Sequence, residues 1–131
     1  MAPGQPLRLM LHIFVVFFLC MGAAHFFGLK VPLLFIYYDN LFYAYQDRII
    51  SFTLVTYALL FLAASRHRVV VPYALVSVWV TVAGLAYINQ SAELAASLEG
   101  QGTGIYWLET AALGGLALVL TLLALKERKN S

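Results

Sequence analysis

The sequence predicts an all-α integral membrane protein: a four-transmembrane-helix bundle with an amphipathic interfacial helix in the first outer loop. Three observations predict it. Of 131 residues, 63% are hydrophobic and only 11% charged, against roughly 25% charged in an ordinary soluble domain, and the mean hydropathy is +0.86. The apolar residues fall into four long runs separated by short polar or basic breaks. A bilayer core of about 30 Å takes roughly 20 helical residues per crossing, so the chain has room for four crossings in one domain, 1–131.

The first span is expected over 9–27, between Arg8 and Lys30, with Gly22, Ala23, Ala24 and Gly28 as small residues suited to close helix packing. Arg8 ahead of an apolar core and a small-residue step at Gly22 also outline a cleavable signal; we read the run as a retained span. A lipoprotein signal at Cys20 is disfavoured, because Phe17 and Phe18 stand where small or aliphatic residues are needed. Cys20 is the single cysteine, so no internal disulfide can form.

Pro32 interrupts any continuation of that span. The stretch 31–48, VPLLFIYYDNLFYAYQDR, then mixes aromatics with charge in a way nothing else in the chain does. Leu34, Tyr37, Tyr38, Leu41, Phe42 and Tyr45 recur at three- and four-residue intervals, with Asp39, Tyr43, Gln46 and Asp47 on another face. The pattern predicts an interfacial helix over 33–46, where a phenol buries its ring and keeps its hydroxyl wet.

The second span is expected over 47–64, with Arg48 snorkelling outward, and closes in the basic turn Ser65-Arg66-His67-Arg68. The third covers 69–88, carrying Pro72 in its first turn, where a missing amide does no harm, and stops at Asn89-Gln90. A helical turn over 92–98 and a flexible glycine-rich run to Gly104 form a linker. The fourth span covers 105–125, with Ala111, Gly114 and Gly115 for close packing, and ends at Lys126-Glu127-Arg128-Lys129.

With four spans, Arg8, Arg66, Arg68, Lys126, Arg128 and Lys129 share one side, six of the eight basic residues. The positive-inside rule then places both termini in the cytoplasm. The expected location is the bacterial inner (plasma) membrane. Asp39, Asp47, Glu93, Glu99 and Glu109 fall on the outer side, as do six of the eight tyrosines, which makes a one-sided aromatic belt.

Candidate ligand-binding residues collect at the outer ends of the helices: His25, Tyr38, Asp39, Tyr43, Asp47, Arg48, Asn89 and Glu109. Glu109 is the sharpest of them, because an unpaired carboxylate inside a span is costly and calls for a partner, with Arg48 and His25 at similar depth. The alternative for the whole set is an ion-pair network that pins the loop to the bundle. Trp79 sits mid-span with its indole donor in need of an acceptor, for which Thr53, Thr56, Tyr57, Ser77 and Thr81 are the hydroxyls at hand.

No nucleophile with a base, no HExxH and no phosphate loop is found, so no catalytic residue is assigned. No cofactor and no metal is expected: Met21 and His25 with Cys20 off their face make a poor copper site, and His67 between two arginines is better read as a solvated turn histidine than as a haem ligand to match His12. No mid-span residue is charged, which disfavours an ion channel or proton-coupled carrier, and a net charge of +2 disfavours nucleic acid.

The four-span outline with an aromatic first outer loop is similar in general shape to several families of small bacterial membrane proteins, DoxX-like ones among them; the likeness is of shape and implies no site residue. The leading functional expectation is an accessory or structural subunit of a larger membrane complex, with other membrane subunits or further copies of itself as partners. The next is a binder or carrier of a lipid, quinone or other hydrophobic small molecule at the outer leaflet. A small membrane enzyme using the outer-face carboxylates stands third.

Overall fold

A computed structural model describes residues 2–29, 41–98 and 102–129. These form five α-helices, α1 (Gln5–Phe27), α2 (Leu41–Arg66), α3 (Val71–Ile88), α4 (Ala92–Ser97) and α5 (Gly104–Lys129), with a 3₁₀ turn, Arg68–Val70, leading into α3. There is no strand among the described residues. Four segments are long and apolar enough to cross a membrane: Gln5–Phe27, Ala44–Arg66, Arg68–Ile88 and Gly104–Lys129. The protein is a helical membrane protein.

Helix ends follow local chemistry. α1 begins near Pro6, whose fixed φ suits a first turn. It stops at Gly28, well before Pro32. Gly28 takes φ 62°, its N–H reaching the His25 carbonyl at 3.3 Å while the Leu29 N–H reaches that of Ala24 at 2.9 Å, the paired bonds of a Schellman ending that glycine adopts without steric cost. α2 holds no proline or glycine from Leu41 to Arg66, so nothing divides residues 41–46 from the span that follows. Those residues are the first turns of α2, and the rest of the expected interfacial segment, 33–40, lies outside the described residues. Pro72 sits in the first turn of α3. Ser91 caps α4, its Oγ accepting the Leu94 N–H at 3.1 Å.

The four long helices pack in a ring, α1 on α2, α2 on α3, α3 on α5 and α5 on α1. Cross-helix bonds give their directions. His25 meets Asp47 at one end of the α1–α2 pair, and His12 faces Ser65 at the other. Asn89 meets Thr110, and Trp79 meets Thr121, along α3 and α5. Every neighbour therefore runs antiparallel, up and down in turn.

The core lies toward one end of this ring. It is built from Leu7, Leu11, Phe14 and Phe18 of α1, Phe61 and Ala64 of α2, Val71, Ala74 and Val78 of α3, and Leu113, Ala117 and Leu120 of α5. Aromatic rings fill the α1–α2 seam, with Phe14 stacked on Phe61 at 4.8 Å between centroids and Phe18 at 5.2 Å from Tyr57. Nearer the opposite end the buried positions on the long helices and at the α3 cap are small or polar: Gly22, Ser51, Asn89 and Thr110. That end carries the sequence candidates.

Candidate functional site

His25 stands in the last turn of α1 and Asp47 in the second turn of α2. The His25 Nδ1 lies 3.1 Å from the Asp47 Oδ1, and the side chains keep only 14% and 19% of their surface exposed. Among the candidates whose side chains are described, this pair is in direct polar contact. Arg48, the next residue along, is exposed, and its backbone carbonyl accepts the Ser51 hydroxyl at 2.6 Å. Ser51 is buried against α1: a Cβ built on Gly22 would lie 3.3 Å from the Ser51 carbonyl oxygen. Gly22 is thus the residue that lets α1 and α2 close beneath the His25–Asp47 pair.

Asn89, at the end of α3, is buried and donates its Nδ2–H to the Thr110 Oγ1 at 2.9 Å; Thr110 in turn donates to the Tyr106 carbonyl at 2.8 Å. Its amide is used to pin α3 to α5. Glu109, one residue before Thr110, is half-buried and has no hydrogen-bonding or ionic partner among the described residues. The expected pairing with Arg48 or His25 is not formed: Arg48 is exposed, and His25 is engaged by Asp47. Tyr38 and Asp39 lie outside the described residues, as does the side chain of Tyr43, whose backbone belongs to α2.

The Trp79 indole donates to Thr121 on α5 at 3.0 Å, rather than to any of the hydroxyls that the sequence placed at its depth on the second and third spans. Two of those hydroxyls instead meet each other, the Tyr57 OH lying 3.2 Å from the Thr81 Oγ1. The reason is the antiparallel ring, which sets α5 beside α3 on the face that carries Trp79.

At the far end of the bundle a second polar cluster appears that charge counting did not single out. The Glu127 Oε1 accepts the Gly4 N–H at 2.9 Å and lies 3.6 Å from the Arg68 Nε. One carboxylate so gathers the start of α1, the turn before α3 and the end of α5. Nearby, the His12 Nδ1 donates to the Arg8 carbonyl at 2.8 Å while its Nε2 faces the fully buried Ser65 hydroxyl at 3.4 Å. His12 is occupied in joining α1 to α2.

Chemically, then, this end of the bundle holds a histidine–carboxylate pair, a buried amide–hydroxyl link, and a carboxyl group with no hydrogen-bonding or ionic partner among the described residues. Among the described residues no three His, Cys, Asp or Glu side chains converge as a metal site requires. Compared with protein-family models, with curated proteins and with solved structures, the chain matches none.

Proposed function

We propose that the protein is an accessory or structural subunit of a larger membrane assembly, built with other membrane chains or with copies of itself. The observation that carries this reading is a contrast between membrane glycines. Gly22 and Gly114 are placed where a Cβ would meet a neighbouring helix, the Ser51 carbonyl at 3.3 Å and the Val82 Cγ1 at 3.6 Å. Gly84 and Gly115 meet nothing within 4 Å among the described residues and lie on the outside of α3 and α5. A helical glycine costs about 1 kcal/mol relative to alanine, and its use in a membrane is to let another backbone come close. Around them the surface is apolar, with Leu108, Leu118, Val80 and Tyr87 all exposed.

Purification in mild detergent followed by native mass measurement tests the reading. The expected result is a stoichiometric companion chain or a defined homo-oligomer, lost in Gly115→Leu. A lone monomer across several mild detergents would overturn it. In this reading both termini face the cytoplasm, on the strength of the six basic residues at that end; C-terminal reporter fusions active only outside the cytoplasm contradict that orientation.

A second reading, a binder of a lipid, quinone or similar small molecule at the outer leaflet, draws on Glu109, whose half-buried carboxyl has no protein partner among the described residues. A ligand that co-extracts with the wild-type chain and is absent from Glu109→Ala supports it.

A further inference from the structure

A furrow runs between α3 and α5 at the end where Glu127 gathers the helix termini. Its walls are apolar, with Leu7, Val71, Leu75 and Leu125, and the side of the furrow at the helix ends is lined by Arg68 and Arg128. The space is about 240 Å³, far more than a single bound ion or water takes, a water needing roughly 30 Å³. It continues along α3 into a second hollow that shares Leu75 and Thr121 with the first and passes Val76 and Trp79. The wall is therefore hydrocarbon-like for several turns, with positive charge at one end only.

Arg128 is exposed and makes no ion pair among the described residues, while Arg68 shares the Glu127 carboxylate. Two arginines line one apolar hollow, and among the described residues Glu127 is the carboxylate in contact with one of them. Both residues begin or end a membrane-crossing segment, Arg68–Ile88 and Gly104–Lys129, so they stand at headgroup depth. A phosphate is the anion for which paired guanidiniums are suited, and basic pockets between spans at this level fit acidic headgroups.

We propose that this furrow is a binding site for an anionic phospholipid, its phosphate held by Arg68 and Arg128 and one acyl chain lying along Val71, Leu75 and Leu125 toward Trp79. The site lies at the opposite end of the bundle from the His25–Asp47 pair and is independent of any partner subunit.

The test is native mass measurement of the full-length chain in detergent, titrated with phosphatidylglycerol or with phosphatidylcholine of the same acyl composition. Phosphatidylglycerol is expected to be retained preferentially. Arg128→Gln, which removes a side chain with no ion pair among the described residues, is expected to weaken retention about fivefold or more, and Leu75→Trp, which fills the furrow, to weaken both lipids. Arg66→Gln, at the same end but outside the furrow, is expected to leave the preference in place. Equal retention of the two lipids overturns the proposal. So does an equal loss in Arg66→Gln and Arg128→Gln, which would mean diffuse attraction to the basic end. Full displacement by millimolar glycerol phosphate would identify a free-phosphate site and overturn it too. The circular dichroism and melting of Leu75→Trp are compared with wild type, and Arg128→Gln decides alone where they differ.

Discussion

The His25 Nδ1 and the Asp47 Oδ1 stand 3.1 Å apart, joining the last turn of α1 to the start of α2. Because both side chains are mostly buried, the contact is shielded from water more than a surface pair would be. The single variants His25→Ala and Asp47→Ala should each lower the melting temperature in detergent. The double variant should lose less than the sum, with a coupling of about 1 kcal/mol, the scale of polar contacts between membrane helices. Strict additivity would mean that the two groups are neighbours without interaction.

The Asn89–Thr110 link predicts an asymmetry. The Thr110 hydroxyl accepts from the Asn89 Nδ2 and donates to the Tyr106 carbonyl. Thr110→Val leaves a buried amide donor with no acceptor, which costs about 1–3 kcal/mol. Asn89→Leu leaves the hydroxyl still donating along its own helix, so it should cost less. Reversible unfolding in mixed micelles measures the order, and a more damaging Asn89→Leu contradicts this account of the pair.

Glu127 should govern the stability of the helix start more than that of the bundle. Glu127→Ala removes the acceptor for the Gly4 N–H and the ionic neighbour of Arg68. A local loss of about 1 kcal/mol should speed hydrogen exchange at Gly4 and Arg8 roughly fivefold, with amides near Ala117 unchanged. Glu127→Gln can still accept from Gly4 and should fall between. If exchange rises equally throughout α5, the carboxylate supports the whole bundle and not its end.

Four apolar helices were legible in the sequence because the membrane sets a length and a composition that any reader can count. The short helical turn after Asn89-Gln90 and Pro72 at the start of α3 were legible for local reasons, since turn and proline geometry depend on a few adjacent residues; the Ser91 cap was not singled out. The side-chain partnerships were not legible. Helices that are apolar on every side give no hydrophobic face from which to read how they turn toward one another. That rotation sends Trp79 to Thr121 and leaves Arg48 exposed, with no bond to Glu109. Glu127, passed over as one charge in a basic tail, acquires its role only once the ring of helices brings Gly4 and Arg68 beside it.

The glycines give the prediction that separates internal packing from assembly. Gly22 is hemmed in, a Cβ there lying 3.3 Å from the Ser51 carbonyl oxygen, whereas a Cβ on Gly115 meets no described atom within 4 Å. Gly22→Leu should push α1 from α2 and cost about 1–3 kcal/mol in the isolated chain, the usual penalty of overpacking. Gly115→Ala should leave the isolated chain intact or steady it by up to about 1 kcal/mol, since alanine is the better helix former. In the membrane the second substitution should weaken association with the companion chain or copy, because close approach is what an outward glycine allows. Melting of the purified chain and crosslinking yield in native membranes read these two effects separately. A Gly115→Ala chain that melts lower while crosslinking as wild type would show that the residue serves the fold, and the subunit reading would lose the observation it stands on.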